Sequence, residues 1–505
     1  MNENSKKSEI SNFYSGKNIL ITGATGFMGK VLVEKLLRDC DELSKIFVLI
    51  RPKKNVDIRK RREEMINSMI FDVIRDRNSE KFEKIKVIEG DLTLDNFGLN
   101  GNDETELVEN IHIIFHCAAN VRFDQTLKCA VNFNLNGTHR VLKLAEKMKH
   151  LIVFTHISTA YCHCNETVLE ERYYPSNENP YGVIEMVKMM KDETLEMITP
   201  KLLNGLPNTY AYTKGLTEDL VHSYREKFPI VIARPSIVTA AWKTPFPGWI
   251  EGLNGPTGLL IGAGKGVIRS MHGNPNHNSE AVPVDITINA IIILAYKRSG
   301  MSKDICYFCN LTESGANPLT WGDTINIGRK LFYDYPMCQS LWYPNGSIKP
   351  NYYKHMFCVI FFHYLPAYFI DFLMIIFRQK PFLVKVQKRV SQGLKVLQYY
   401  TTREWIFINE NFLKLHRELN DVDKKKFSCD LFQIDITEYL LNFIKGTRYY
   451  LLKESPESLP KARATLKRLY YLDKFVSMLF YALIFYLLWI NIDWIMSFLK
   501  RLIYL

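Results

Sequence analysis

Tyr210 and Lys214 in TYAYTKG stand four residues apart, so on a helix both side chains project from one face. A tyrosine so placed can hand its proton to a developing alkoxide. A lysine held near it would lower the phenol's pKa electrostatically and reach the ribose of a bound nucleotide. In a chain with 27 tyrosines such a pair also arises by chance, and an exposed helical pair is the plainer reading. Its place in the chain is what raises it, because it follows the apolar run LIVFTHIS, which ends in Ser158 and is succeeded by Thr159. A hydroxyl at a strand end can donate to a carbonyl oxygen on which charge develops.

A second chemical signal lies near the N-terminus. ILITGATGFMG, residues 19 to 29, is an apolar run entering a glycine-rich turn that opens a helix. Gly23, Gly26 and Gly29 allow a tight turn, close approach to a pyrophosphate and packing of helix on strand, and the helix start offers unpaired N–H groups to the anion. Thr22, Thr25, Phe27 and Met28 complete this candidate dinucleotide cradle. The spacing is Gly-x-x-Gly-x-x-Gly, not the commoner G-x-G-x-x-G. After the second apolar run comes Arg51, with Lys53 and Lys54 behind it, where an NAD-binding fold would carry an acid for the ribose hydroxyls. A base there attracts a 2′-phosphate, which favours NADPH; three solvated basic residues in a loop are the alternative. Asp91 and Leu92 in EGDLT are placed to meet the adenine. HCAAN, residues 116 to 120, brings Ala118 and Ala119 where small side chains would admit the nicotinamide end, and Pro235 after PIVIAR joins the cofactor set.

The elements that must position these groups follow from periodicity. From Lys17 to about Ala240, short β-branched runs (NILIT, KIFVLI, KIKVIEG, IHIIFH, LIVFTHIS, PIVIAR) alternate with helical stretches such as Lys30 to Asp39 and Val141 to Met148. That alternation predicts an α/β fold with a doubly wound parallel sheet. A looser, Gly/Pro-rich stretch from 241 to 340 reads as a substrate-facing lobe. We divide the chain into a polar tail, 1–15; a Rossmann catalytic domain, 16–290; the rest of the lobe and a connection, 291–354; a mainly helical C-terminal domain, 355–455; and a membrane segment, 475–499.

His355 to Phe377 is apolar but contains His363, Pro366 and Asp371, so an interfacial, re-entrant or buried helix competes with a span. Phe475 to Leu499 is a cleaner anchor, interrupted by Asn491 and Asp493. Lys461, Arg463, Lys467, Arg468 and Lys474 precede it and by the positive-inside tendency keep the catalytic part cytosolic, although Lys500 and Arg501 oppose them. The polar start MNENSKKSEI has no apolar core of a signal peptide. The endoplasmic reticulum membrane is favoured over the peroxisomal one, the chain ending RLIYL and not S-K-L.

The net charge of +12 suits a membrane surface or an anionic ligand. Nucleic acid is excluded as a partner because no basic block is interleaved with aromatics; Lys424 to Lys426, the longest basic run, reads as a solvated turn. Ten unevenly spaced cysteines suit reduced thiols. Cys162, His163 and Cys164, and separately Cys306 and Cys309, lack a second pair at zinc-site spacing, so no metal is expected.

Glycine turn, strand-end hydroxyl and Tyr/Lys helix together resemble the extended short-chain dehydrogenase/reductase superfamily over about residues 16 to 290. The resemblance implies Thr159, in preference to Ser158, as the catalytic hydroxyl beside Tyr210 and Lys214, and Asn134 in NLNGT as the residue that steadies a water near the lysine. Longer motifs are more specific. TGATGFMGK with LIRPKK, the run Gly248 to Met271, VPVD at 282–285, LPAYFID at 365–371 and GTRYYLLKE at 446–454 resemble the fatty acyl-CoA reductases. Glu280 and Ala281 before VPVD, and Ile436 before Tyr439, depart from that pattern in ways that bear on packing or substrate preference.

This second resemblance implies reduction of long-chain acyl-CoA to primary alcohol with two NADPH, through a hemithioacetal and aldehyde, CoA leaving directly, for wax, ether-lipid or cuticular lipid synthesis. Cys117 as an acyl-enzyme nucleophile is disfavoured because no neighbouring base can be identified. Two other readings compete: a membrane-bound hydroxysteroid-type dehydrogenase, which Arg51 opposes, and a silent NADPH-binding scaffold, which the intact Thr159, Tyr210 and Lys214 oppose.

Overall fold

All six apolar runs become strands of one parallel sheet. In chain order they are β1 (Ile19–Thr22), β2 (Ile46–Ile50), β3 (Ile85–Glu89), β4 (Ile113–His116), β5 (Val153–Ile157) and β6 (Ile230–Pro235), joined by a seventh, β7 (Cys306–Leu311). The computed structural model describes residues 7–52, 57–253, 255–302, 304–316 and 318–491. Across the sheet the order is β3-β2-β1-β4-β5-β6-β7, every neighbouring pair parallel. The order reverses at β1, and the crevice beyond the strand ends between β1 and β4 is the ligand-binding position of such sheets.

Both faces of the sheet are covered, which is why its strands read as unbroken apolar runs. Ile19 and Ile21 face a layer containing α1 (Phe27–Asp39) and α4 (Val284–Ser299), while Leu20 faces the layer of α2 (Gly137–Lys147) and α3 (Thr209–His222). The two helices expected at Lys30 and Val141 thus start three to four residues earlier than the apolar period suggested, at the glycine turn and at Gly137.

The C-terminal part is mainly helical. Tyr352–Cys358, a π-helical turn at Val359–Tyr364 and α5 (Leu365–Ile376) form one rod, followed by α6 (Leu383–Thr401), α7 (Ile436–Gly446) and α8 (Leu459–Ile490). Its seam with the catalytic body depends on glycine. Gly248 has φ +75°, and a Cβ on Gly446 would overlap the Gly248 carbonyl. Beside it the Tyr439 phenol meets Thr239 Oγ1 at 2.6 Å and donates to Ala240 O at 3.0 Å.

Several expectations change. Within the polar tail, Glu9–Tyr14 is a helix, with Tyr14 buried and donating to Ile292 O at 2.8 Å. Lys424 to Lys426 end a short helix, and Lys426 is no solvated turn residue: its ammonium donates to Asp39 O at 3.0 Å. CYFCNL is a core strand, which accounts for Cys306 and Cys309 as packing residues. All ten cysteines are free thiols. Tyr352–Ile376 and Pro456–Ile490 are long and apolar enough to cross a membrane. Lys53, Lys54 and residues 492 onward, including the end of the expected membrane segment, lie outside the described residues.

Candidate active site

The glycine turn works by close approach. Gly23 has φ +75°, and a Cβ there would stand 2.8 Å from the Ala118 backbone at the end of β4. A Cβ on Gly29 would overlap the Gly23 carbonyl, so the third glycine lets α1 pack onto the turn. Gly26 is the exposed N-cap of α1, and with no side chain it leaves the first helical N–H groups free for an anion. Phe27 is committed to packing, stacked on Trp249 with ring centroids 5.3 Å apart. Thr25 and Met28 are half-buried beside the turn.

Thr22 shapes the cradle without facing it. Its hydroxyl lies 2.7 Å from His116 Nδ1 and accepts the Ala118 N–H at 3.3 Å, while His116 Nε2 meets Thr138 Oγ1 at 2.9 Å. Burial, with Lys214 nearby, pushes His116 down to about 3, so this imidazole is a neutral strut. Ala118 and Ala119 remain partly exposed. At the other end of the crevice the Arg51 side chain is 62% exposed and lies 4.0 Å from Asp91, whose carboxylate accepts the N–H and hydroxyl of Thr93. Leu92 is buried in the core beside Gly137. Asp91 therefore holds its own turn and sits beside the base.

Tyr210 opens α3 one residue after Thr209, and Asn208 caps the helix by accepting the Ala211 N–H at 2.9 Å. Burial pushes the phenol up, Cys162 adds to that, and only the Thr159 hydrogen bond pulls it back. Tyr210 is thus protonated at neutral pH and able to donate a proton. The expected lowering by Lys214 is not what sets it, because the ammonium donates to Ile157 O at 2.7 Å at the end of β5. Burial lowers Lys214 to about 8, against the opposing pull of Cys162 and Glu218.

Ser158 is buried beside Thr159, and among the described residues its Oγ has no hydrogen-bond partner. Asn134 is also buried, on a π-helical turn, with its amide fully used: Oδ1 accepts the Asn120 N–H at 2.7 Å, and Nδ2 donates to Thr213 Oγ1 at 3.0 Å and Asn120 O at 3.2 Å. It clamps the HCAAN turn to α3. The buried Pro235 carbonyl accepts the Ala160 N–H at 2.9 Å and so fixes the strand-end loop. An orphaned hydroxyl at the β5 end and a cradle that any Cβ would fill fit a nicotinamide nucleotide laid from β2 across β1 and β4 to β5.

One turn behind Lys214, Glu218 forms a fully buried pair with Arg234 at 2.6 Å and is reached by His163 Nε2 and Cys162 Sγ, each at 3.2 Å. Burial would raise the Glu218 carboxyl, but Arg234 and His163 hold it well below the usual range. Cys162, His163 and Glu218 come within 4.8 Å of one another, and their carboxylate is already neutralised by a guanidinium.

The C-terminal domain supplies a wall that no local pattern disclosed. Phe123 lies 5.6 Å from both the Tyr210 and Tyr400 rings, and Tyr161 packs edge-on to Tyr400 and Trp405 at 5.3 and 5.4 Å. Asn208 Nδ2 donates to the Tyr400 oxygen at 3.0 Å, and Trp405 Nε1 to Cys164 O at 3.1 Å. Tyr400 stands 190 residues beyond the tyrosine it faces across Phe123, so only the fold brings them together.

A Rossmann sheet whose fifth strand ends in a hydroxyl against a helical Tyr and Lys defines an extended short-chain dehydrogenase/reductase, a nicotinamide-dependent oxidoreductase. Comparison narrows the class. Residues 21–291 match an NAD-binding family and 362–454 a second family, both described as Male sterility protein. Fatty acyl-CoA reductase 1 of Xenopus laevis is 40% identical over 91% of this chain and 89% of its own length, and that of Mus musculus is 39% identical over the same shares. The terminal R domain from the myxalamid PKS-NRPS biosynthetic pathway shares the fold, with a TM-score of 0.59 and 18% identity over 88% of this chain and 93% of that one. The chain belongs to the fatty acyl-CoA reductase family.

Proposed function

We propose that this chain reduces long-chain fatty acyl-CoA to the primary alcohol through the aldehyde, with two NADPH consumed and CoA released, from a cytosol-facing membrane surface. The observation that carries the reading is the placement of Tyr210 and Lys214 on α3 against the end of β5, where the Lys214 ammonium donates to Ile157 O at 2.7 Å and Thr159 follows. NADPH, when bound, supplies a hydride to the thioester carbonyl and another to the aldehyde. Thr159 and Tyr210 donate to the carbonyl oxygen as its charge grows. Collapse of the resulting adduct expels the CoA thiolate, and in the second reduction Tyr210 gives its proton to the alkoxide. Lys214 holds positive charge behind the phenol and faces the ribose side. No cysteine need attack: burial pushes the Cys117 thiol up to about 12, so it stays protonated.

Arg51, exposed at the β2 end, supports the choice of NADPH, since a guanidinium pairs with a 2′-phosphate. The aromatic wall of Phe123, Tyr161, Tyr400 and Trp405 suits an acyl chain. The exposed apolar face of α8 from Phe475 onward, behind the cations Lys461 to Lys474, supports a bilayer anchor with the catalytic body on the cytosolic side, in the endoplasmic reticulum in preference to the peroxisome. The test is NADPH consumption by detergent-solubilised protein given palmitoyl-CoA or stearoyl-CoA, with products separated. Fatty alcohol at about two NADPH per CoA released, lost in Tyr210→Phe, is expected. No turnover across acyl lengths while NADPH still binds would overturn the substrate.

A further inference from the structure

Tyr352–Ile376 is bound to the catalytic body along one face. His355, Val359, His363, Ala367 and Asp371 recur every fourth residue and are all buried, the spacing of a single helical face. Each polar member is engaged. His355 Nδ1 lies 2.8 Å from Ser270 Oγ, and His363 Nε2 accepts the N–H groups of Arg269 and Ser270 at 2.9 and 3.2 Å. Asp371 caps α6 from outside, accepting the N–H groups of Phe382, Leu383 and Val384 at 3.0, 2.9 and 2.9 Å. A helix crossing a bilayer would have to give up the His355 and His363 bonds to Arg269 and Ser270 in a body that stays in water, and would carry His and Asp side chains into hydrocarbon.

The opposite face is bare and apolar. Ile360, Leu365, Tyr368, Phe369, Phe372 and Ile376 are each between 51% and 60% exposed, far more contiguous apolar surface than a soluble protein normally shows to water. It continues into the C-terminal helix, since the Phe362 ring lies 6.1 Å from Phe480 of α8. Behind it comes a cationic stretch: from Phe372 to Arg403 the sequence contains no Asp or Glu, while Arg378, Lys380, Lys385, Lys388, Arg389 and Lys395 are all exposed. An apolar face beside an unopposed basic helix is complementary to acyl chains beneath anionic headgroups.

We infer that Tyr352–Ile376 does not cross the membrane but lies in its surface plane, with Leu365, Phe369, Phe372 and Ile376 among the acyl chains and the α6 cations on anionic headgroups. This rests on the reading of α8 as the bilayer anchor. The lipid-facing end and the catalytic wall then belong to one rigid helix, because α6 begins at the Asp371 cap and ends with Tyr400 against Phe123.

The experiment uses the full chain reconstituted in vesicles of phosphatidylcholine and phosphatidylserine. A fluorescent amino acid replaces Phe357, Leu365 or Ile376, or Phe485 in α8, all exposed positions. Depth is read from quenching by lipids brominated near the glycerol or near the chain end. Phe357 and Ile376 are 19 residues apart, about 28 Å along a helix and close to the thickness of a bilayer core. The expected result is equal, shallow depth at 357, 365 and 376 and deep quenching at 485. A depth profile that is deepest at 365 would mean a span and overturn the inference. Quenching at 485 with none at 357–376 would overturn it while leaving the anchor standing. No quenching at 485 would remove the anchor reading itself. Removing phosphatidylserine, or substituting Lys385→Gln, Lys388→Gln and Arg389→Gln, is expected to cut quenching at 357–376 by about threefold or more with 485 unchanged; no change would overturn the assignment of α6 to anionic headgroups.

Discussion

The Asn208 side chain works in two directions: its Oδ1 caps helix α3 at Ala211 N, 2.9 Å away, and its Nδ2 donates to the Tyr400 oxygen at 3.0 Å. The first turn of α3, which carries Tyr210, is thereby tied to the last turn of α6. Tyr400→Phe removes the acceptor and leaves a part-buried amide N–H unpaired, which costs about 1 kcal/mol. The expected outcome is a matching loss of stability in denaturant titration and a fall in kcat of up to about fivefold, with the KM for NADPH unchanged. An unaltered kcat with lowered stability would make the contact purely structural.

Arg51 bears on cofactor choice. Arg51→Glu replaces the proposed partner of a 2′-phosphate by a repelling charge beside Asp91, 4.0 Å away in the native chain. A charge-assisted hydrogen bond contributes about 1.5–3 kcal/mol, so the ratio of kcat/KM for NADPH over NADH is expected to fall by roughly 10- to 100-fold. Initial rates with each nucleotide measure it. A ratio near that of the wild type would assign selectivity to other groups.

The seam between the two parts of the chain gives a stability prediction. A Cβ on Gly446 would overlap the carbonyl of Gly248, and neither is a flexible side-chain end that could swing away. Gly446→Ala must push the backbones apart, and overpacking of this kind costs about 1–3 kcal/mol or more. A lower Tm and reduced yield are expected, whereas Gly393→Ala, at a position with open space around the added carbon, should be well tolerated.

Which parts of this molecule were legible in advance follows from how local their signals are. The glycine turn and strands β1 to β6 declare themselves because turn chemistry and apolar runs are written in consecutive residues. β7 does not: CYFCNL follows a long excursion, is interrupted by polar Asn310, and its two cysteines invite a metal reading until Cys309 is seen packed in the sheet. Lys426 reads as solvated because its acceptor, the Asp39 carbonyl, lies 387 residues away. Tyr400, Phe123 and Asn208 form the wall and its cap through contacts of the same kind, which no period of 2 or 3.6 encodes. The role given to Lys214 was legible in type but not in effect, since its ammonium is held by Ile157 O while burial sets the Tyr210 phenol.

The same lysine makes the pH profile informative. Burial lowers Lys214 to about 8 in the folded chain, whereas a free lysine side chain titrates near about 10.4. Above about pH 8 the native protein loses this ammonium, and a reaction that needs positive charge behind Tyr210 should slow with a limb near that value. Stability responds in the opposite direction: between the two values the unfolded chain binds more protons at this site than the native one, so this group's contribution to stability rises with pH. Loss of rate without loss of fold is therefore the expected signature, read from kcat/KM and circular dichroism on the same samples from pH 7 to 10. Lys214→Arg keeps the charge at every pH in that range and should remove the limb, at some cost in absolute rate from the altered geometry. If the limb persists in Lys214→Arg, another ionisation controls the rate, and Lys214 serves only to bind Ile157 O and shape the end of β5.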